Sequence, residues 1–208
     1  MTKTVKILAL AIALMTSLTL SAQKPASWSG VRFSYDNIKL DETTLNGASA
    51  TYVKAWQLSQ KVPVYFEAGL NVDWGIKSSN ILETIIGIKG NEDATMNLVN
   101  LSIPLNVGYY LPLIGDTFAV APYAGLDGKV YVYGNLNGLS QDFNIFDKDK
   151  LGETFAASRW QAGWHVGVNL HISRKYVVGA SYGADFTKFQ KNADTKIKKF
   201  QVNLGYNF

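Results

Sequence analysis

Two histidines, two serines and one acidic run are the places in this chain where side chains could do chemistry. His165 and His171 stand six apart in "HVGVNLH". On an extended strand they would share a face but lie roughly 20 Å apart, too far for one metal ion to take both. Ser173 and Ser181 could serve as nucleophiles only with a histidine in reach as base. The run "FDKDKLGE" resembles the start of a calcium loop, with Asp147, Asp149, Gly152 and Glu153. Its fifth position is Leu151, where an oxygen ligand is needed, so it reads as a solvated loop. The chain has no cysteine, which excludes a disulfide framework, a thiolate metal site and a thiol nucleophile. The expectation is therefore no catalytic residue, no cofactor and no metal site.

The elements that would position any site are strands. The opening "MTKTVKILALAIALMTSLTLSAQK" places Lys3 and Lys6 before an apolar run and a small-residue exit at Ser21 and Ala22. That is the pattern of a secretory signal peptide over 1–22, with cleavage expected after Ala22. A short lead over 23–27 and one domain over 28–208 remain. Loss of Lys3 and Lys6 from 20 basic residues, against 16 acidic ones, leaves a net charge of +2. So weak a charge argues against nucleic-acid binding. No later stretch is apolar for the length of a membrane-spanning helix, so a membrane could be crossed only by strands.

Alternation is the main signal. "RWQAGWHVGVNLHI" sets Trp160, Ala162, Trp164, Val166, Val168 and Leu170 against Arg159, Gln161, Gly163, His165, Gly167 and Asn169. "YVVGASYGADF", "NLSIPLNVGY", "VYFEAGLNVDWGI", "TFAVAPYAGLDGKVYVYG" and "GVRFSY" repeat the pattern, and "KKFQVNLGYNF" closes the chain with it. With "ASATYVKAWQL", whose phase is ambiguous, there are about eight strands of roughly ten residues, the length of bilayer-crossing strands. Connections alternate too. "SQKVP", "LPLIGD" and "SRK" are short, whereas "KLDETTLNG", 77–95, 135–157 and "QKNADT" are polar and mostly longer. Aromatics band near both rims, with Trp56, Tyr176, Tyr206 and Phe208 at the short-turn end and Tyr35, Trp74, Trp160 and Phe200 at the other. Short turns, long loops and two aromatic girdles predict an all-β fold, an eight-stranded antiparallel up-and-down transmembrane β-barrel in the outer membrane.

The closing "VNLGYNF", the "LSIPLNVGYY" strand and the "YAGLDGK" stretch carry a resemblance to small outer-membrane β-barrel proteins of the OmpA/OmpX type. The stand-alone "outer membrane protein beta-barrel domain" proteins of the porin family are the nearest form, and the resemblance covers the whole mature chain. It implies that Tyr206 and Phe208 act as an assembly signal read by the barrel-assembly machinery. It also implies a Gram-negative cell envelope, with no periplasmic domain after the last strand. Lipid A deacylases of similar size use a Ser/His pair, but both histidines here fall in the lumen phase, away from acyl chains.

With apolar residues turned to lipid, the polar set faces the lumen. It includes Arg32, Asp36, Glu67, Asp73, Asp127, Lys129, His165, Asp185 and Lys199, with Arg159 counted among them. A barrel of this size is filled by its own side chains, so paired charges are expected in place of an open pore. If Gln60 and Lys61 form a two-residue turn, Lys54 lies opposite Glu67 and also points inward. On the long-loop rim Lys188, Lys191, Lys196, Lys198 and Lys199 crowd one hairpin, and ammonium groups there suit the phosphates of lipopolysaccharide. The expected role is non-enzymatic, structural or surface-interacting, through loops that meet an unknown extracellular partner. A narrow porin-like channel is the alternative, followed by a lipid-modifying enzyme or a soluble lipocalin-like carrier.

Overall fold

The computed structural model describes residues 27–40, 43–59, 61–78, 95–115, 117–138, 141–149, 156–190 and 196–208. The expected signal peptide, Lys191, and Gly152 and Glu153 of the acidic run lie outside the described residues.

Among the described residues, ten strands form a single antiparallel sheet: β1 (Trp28–Leu40), β2 (Thr43–Gln57), β3 (Val64–Ser78), β4 (Thr95–Tyr109), β5 (Leu111–Ile114), β6 (Phe118–Gly138), β7 (Gln141–Asn144), β8 (Trp160–Ile172), β9 (Tyr176–Asp185) and β10 (Ile197–Asn207). Eight of them close a ring: β1 pairs β10 as well as β2, and β4 pairs β6. The other two, β5 and β7, are short hairpin partners of the two ends of β6. Closure leaves the ring without a free sheet edge, the condition for strands to cross hydrocarbon with every backbone group paired.

Orientation decides the solvent. Phe33 is 65% exposed, Leu70 64% and Leu204 62%, whereas Arg32 is 6% exposed and Glu67 4%. Greasy side chains face outward and ionisable ones inward, the reverse of a soluble carrier. Outward aromatics pair near the short-turn end, Trp56 on Phe66 at 5.9 Å and Tyr176 on Tyr206 at 5.6 Å, and near the other end, Trp164 on Tyr182 at 6.2 Å. Their rings band at the two headgroup levels.

The connections are tighter than their polarity suggested. The strands flanking "KLDETTLNG" run to Leu40 and from Thr43, so most of that stretch is paired backbone. Between β8 and β9, Ser173 and Arg174 both have positive φ, 51° and 58°, and the Lys175 N–H donates to the Ile172 carbonyl at 3.1 Å. The register pairs Ile172 with Tyr176, so the connection is a tight three-residue hairpin loop, Ser173 to Lys175.

One irregularity matters for the interior. In the pairing of β4 with β6, Val99 faces Tyr133 but Asn100 faces Tyr131, leaving Val132 as an extra residue. This bulge lets Val132 and Tyr133 both point outward, and it brings Gly134 and Leu136 into the inward phase beside Tyr131. Bulges re-aim side chains in this way. Strict alternation through "KVYVYG" would have turned Tyr133 inward.

Candidate functional site

The lumen is layered. Nearest the short turns, Trp28, Tyr65, Tyr110 and His171 pack as an aromatic cluster, with Trp28 5.0 Å from Tyr65, 6.0 Å from Tyr110 and 5.3 Å from His171. Small inward residues, Ala55, Ala119 and Ala121, make room for these rings. Such a cluster excludes water at this end of the barrel.

Above it lies the charged section. Arg32 Nη2 donates to Glu67 Oε2 at 2.9 Å, and Asn106 Nδ2 donates to Glu67 Oε1 at 3.2 Å. The ring of His165 bridges Asp127, at 3.1 Å from its Nδ1, and Asn106 on its other nitrogen. Gly125 permits this bridge, since a Cβ there would collide with Asn106 Oδ1 and the Leu105 carbonyl. Lys129 Nζ lies 2.7 Å from Asp185 and 3.1 Å from Asp127. Lys199 Nζ donates to Asp73 Oδ1 at 3.1 Å, while Asn71 holds Asp73 Oδ2 at 2.8 Å. Asp36 is fully buried and lies beside Asp73 and Lys199. Four carboxylates (Glu67, Asp73, Asp127 and Asp185) thus meet the cations Arg32, Lys129 and Lys199 among the described residues, while the oxygens of Asp36 have no hydrogen-bond partner there. These groups surround a space of about 90 Å³, enough for a few water molecules.

Above the charges the interior turns apolar again. Ile38, Leu40, Leu45, Met96, Leu98, Tyr131, Leu136 and Ile197 point inward and are buried. Ile145, Phe146, Ala157 and Phe189, from segments outside the ring, lie on top of them. Backbone bonds hold the cap in place: Ile145 N–H to the Gly134 carbonyl at 3.2 Å, Ala157 N–H to the Ile145 carbonyl at 2.9 Å and Ser158 N–H to the Phe189 carbonyl at 2.8 Å. The seat is cut for Phe146, because a Cβ on Gly134 would collide with its ring and lie 2.8 Å from Ile145 Cγ1. Gly134→Ala is expected to displace the cap and destabilise the barrel by about 1–3 kcal/mol. A urea midpoint equal to that of the unaltered protein would show the seat to be slack.

A strand-built ring with lipid-facing apolar residues and a paired ionic lumen is one fold; its lineage comes from comparison. The model of the outer membrane protein beta-barrel domain family matches residues 7–208. The chain belongs to this family. It is an outer-membrane protein. Among solved structures, a major outer membrane protein from Thermus thermophilus is 13% identical, covers 88% of this chain and 100% of its own, and has a TM-score of 0.50. OprG from Pseudomonas aeruginosa is 13% identical over 90% of this chain and 98% of its own, with a TM-score of 0.44. Ail of Yersinia pestis is 12% identical over 88% of this chain and 97% of its own, with a TM-score of 0.43. Likeness at this identity is one of fold. No curated protein matches the chain.

Within this family member, two of the residues expected in the lumen lie elsewhere. Lys54 is exposed on the outer surface, its ammonium 5.8 Å from the Trp56 ring centre. The Leu58 N–H donates to the Val64 carbonyl, so 59–63 form the connection, and the register pairs Lys54 with Ala68 and Glu67 with Ala55. A shift of one residue reverses the face of every side chain. Lys54 sits near the short-turn rim, opposite Ser29, where a long stem can carry its charge to water.

Arg159 precedes β8 and is exposed at the long-loop rim. Its guanidinium lies 4.5 Å from the Phe146 ring centre and donates to the Tyr131 carbonyl at 3.0 Å. It therefore holds the cap and takes no part in the ionic section. Of the rim lysines, Lys188, Lys196 and Lys198 are exposed, and Lys199 turns inward to Asp73. Sequence reading overlooked the inward Tyr65, Tyr123 and Tyr131 and the apolar upper layer. All three were legible as the inward phase of their strands, Tyr131 two residues beyond the inward Lys129.

Proposed function

We propose that this outer-membrane barrel is a non-enzymatic surface protein with a sealed interior, acting through the face that its longer connections build. One observation carries the reading: apolar and aromatic layers cover the ionic section on both sides, so an ion would have to enter hydrocarbon-like packing twice. The cost of stripping an ion of water in such packing is many kcal/mol. Planar bilayer recordings of the refolded full chain are expected to show no discrete conductance steps. Regular steps would replace this reading with that of a narrow channel.

The positions of the chemically capable residues support the same conclusion. Ser181 Oγ donates to Gln201 Oε1 inside the lumen, and Ser173 lies in the β8–β9 turn. His165 and His171 also face the lumen, bonded to Asp127, Asn106 and Asn207. None of these groups faces the acyl chains that a lipid-modifying enzyme would have to reach. For biogenesis, Tyr206 and Phe208 present their rings outward from the last strand, and the Phe208 N–H donates to the Ser29 carbonyl at 2.8 Å. That placement suits outward aromatics read by the assembly machinery before the seam between β1 and β10 closes.

A further inference from the structure

We propose that Lys39, Lys196 and Lys198 bind the phosphate groups of an anionic glycolipid in the outer leaflet, at the upper end of the seam where β1 meets β10. This goes beyond the sealed-barrel reading and does not depend on it. Three observations place the site.

The first is register. Lys39 and Lys198 are directly opposed on the first and last strands, and both are exposed on the outer surface. Opposed side chains have Cβ atoms about 4.5–5.5 Å apart, and like charges so placed destabilise a sheet. Lys196, also exposed, stands two residues further along the same face of β10's approach. Among the described residues, no carboxylate meets any of the three ammonium groups.

The second is height. Up the outward face of β10 the order is Phe208, Tyr206, Leu204, Val202 and Phe200, and then Lys198; up β1 it is Phe33, Tyr35, Asn37 and then Lys39. The lysines begin where the upper aromatic girdle ends, at the level of lipid headgroups.

The third is charge type. Ammonium groups bind phosphate as point charges, and a phosphate between two strands would convert mutual repulsion into a bridge across the closing seam. A soluble protein ligand is not favoured, because the patch lies against the bilayer.

The test uses the full chain refolded in detergent micelles, with thermal unfolding read by heat-dependent gel mobility. A diphosphorylated glycolipid of the lipid A type is titrated against its dephosphorylated form and against inorganic phosphate. The expected result is a rise in the unfolding temperature with the phosphorylated lipid alone. The double variant K39Q/K198Q should need about 30-fold more lipid for the same rise, through loss of two lysine–phosphate attractions. K198Q alone should show an intermediate shift, and K54Q, at the opposite rim, should match the unaltered protein. An equal response in K39Q/K198Q would overturn the proposal. So would the same rise with dephosphorylated lipid, which would indicate apolar binding only, or with inorganic phosphate at equal concentration, which would indicate a free-ion site.

Discussion

Truncating Glu67 to alanine is expected to destabilise the barrel by about 3–5 kcal/mol, the range for breaking a buried ion pair from one side. The loss falls on Arg32, which is buried and would keep, among the described residues, the Asn207 contact at 3.3 Å. Asn106 would lose its acceptor as well, and with it the orientation that presents Oδ1 to His165. Urea unfolding in micelles, followed by tryptophan fluorescence, measures the change. The double replacement Arg32→Met with Glu67→Met removes both charges and should recover most of the loss, since well-packed apolar pairs often match buried ion pairs. A change under about 1 kcal/mol in Glu67→Ala would mean that water, and not Glu67, carries the arginine.

Leu70→Lys should cost about 2–4 kcal/mol, the penalty for a lysine near the midplane on the lipid face of a barrel. Leu70 lies halfway along β3 and is among the most exposed apolar side chains. The measurement is again unfolding in a lipid or micellar phase, and a neutral result would remove the hydrocarbon from around this face. Lys54 provides the internal contrast. It occupies the same outward face, on the neighbouring strand, but near the rim, where its stem can reach water.

What the sequence made legible follows from where periodicity is unbroken. Through Trp160–Ile172 and 199–207 alternation is strict, and the inward and outward sets of these strands agree with the structure. Periodicity does not determine how two strands are aligned, because alignment depends on the geometry of the connection. Residues 59–63 hold an odd number of positions where an even turn was expected, and that difference alone moved Lys54 to the outside. The extra residue at Val132 had the same kind of effect inside one strand. Arg159 was misplaced for a different reason: it lies just before β8, where the strand's phase no longer governs the side chain.

The upper apolar layer was missed because of an assumption about solvent. Inward residues of a membrane barrel were expected to be polar, yet Ile38, Leu45, Met96 and Ile197 are inward and dry. Their neighbours on the other face are polar at that height, as at Lys39 and Lys198. Above the bilayer the barrel protrudes into water, and the ordinary rule of soluble proteins, apolar inside and polar outside, returns. A reversal of the apolar phase partway along β1, β2, β4 and β10 was therefore the available signal, and it marks the level at which hydrocarbon ends.

That upper layer also bears on how the molecule forms. Its residues come from β1, β2, β4, β6 and β10, so the earliest and the latest parts of the chain must both be in place before any of them is shielded. No half-built sheet can shelter this surface, which gives insertion the character of a single concerted event with few stable halfway species, slow to begin because the contacts are so distant along the chain.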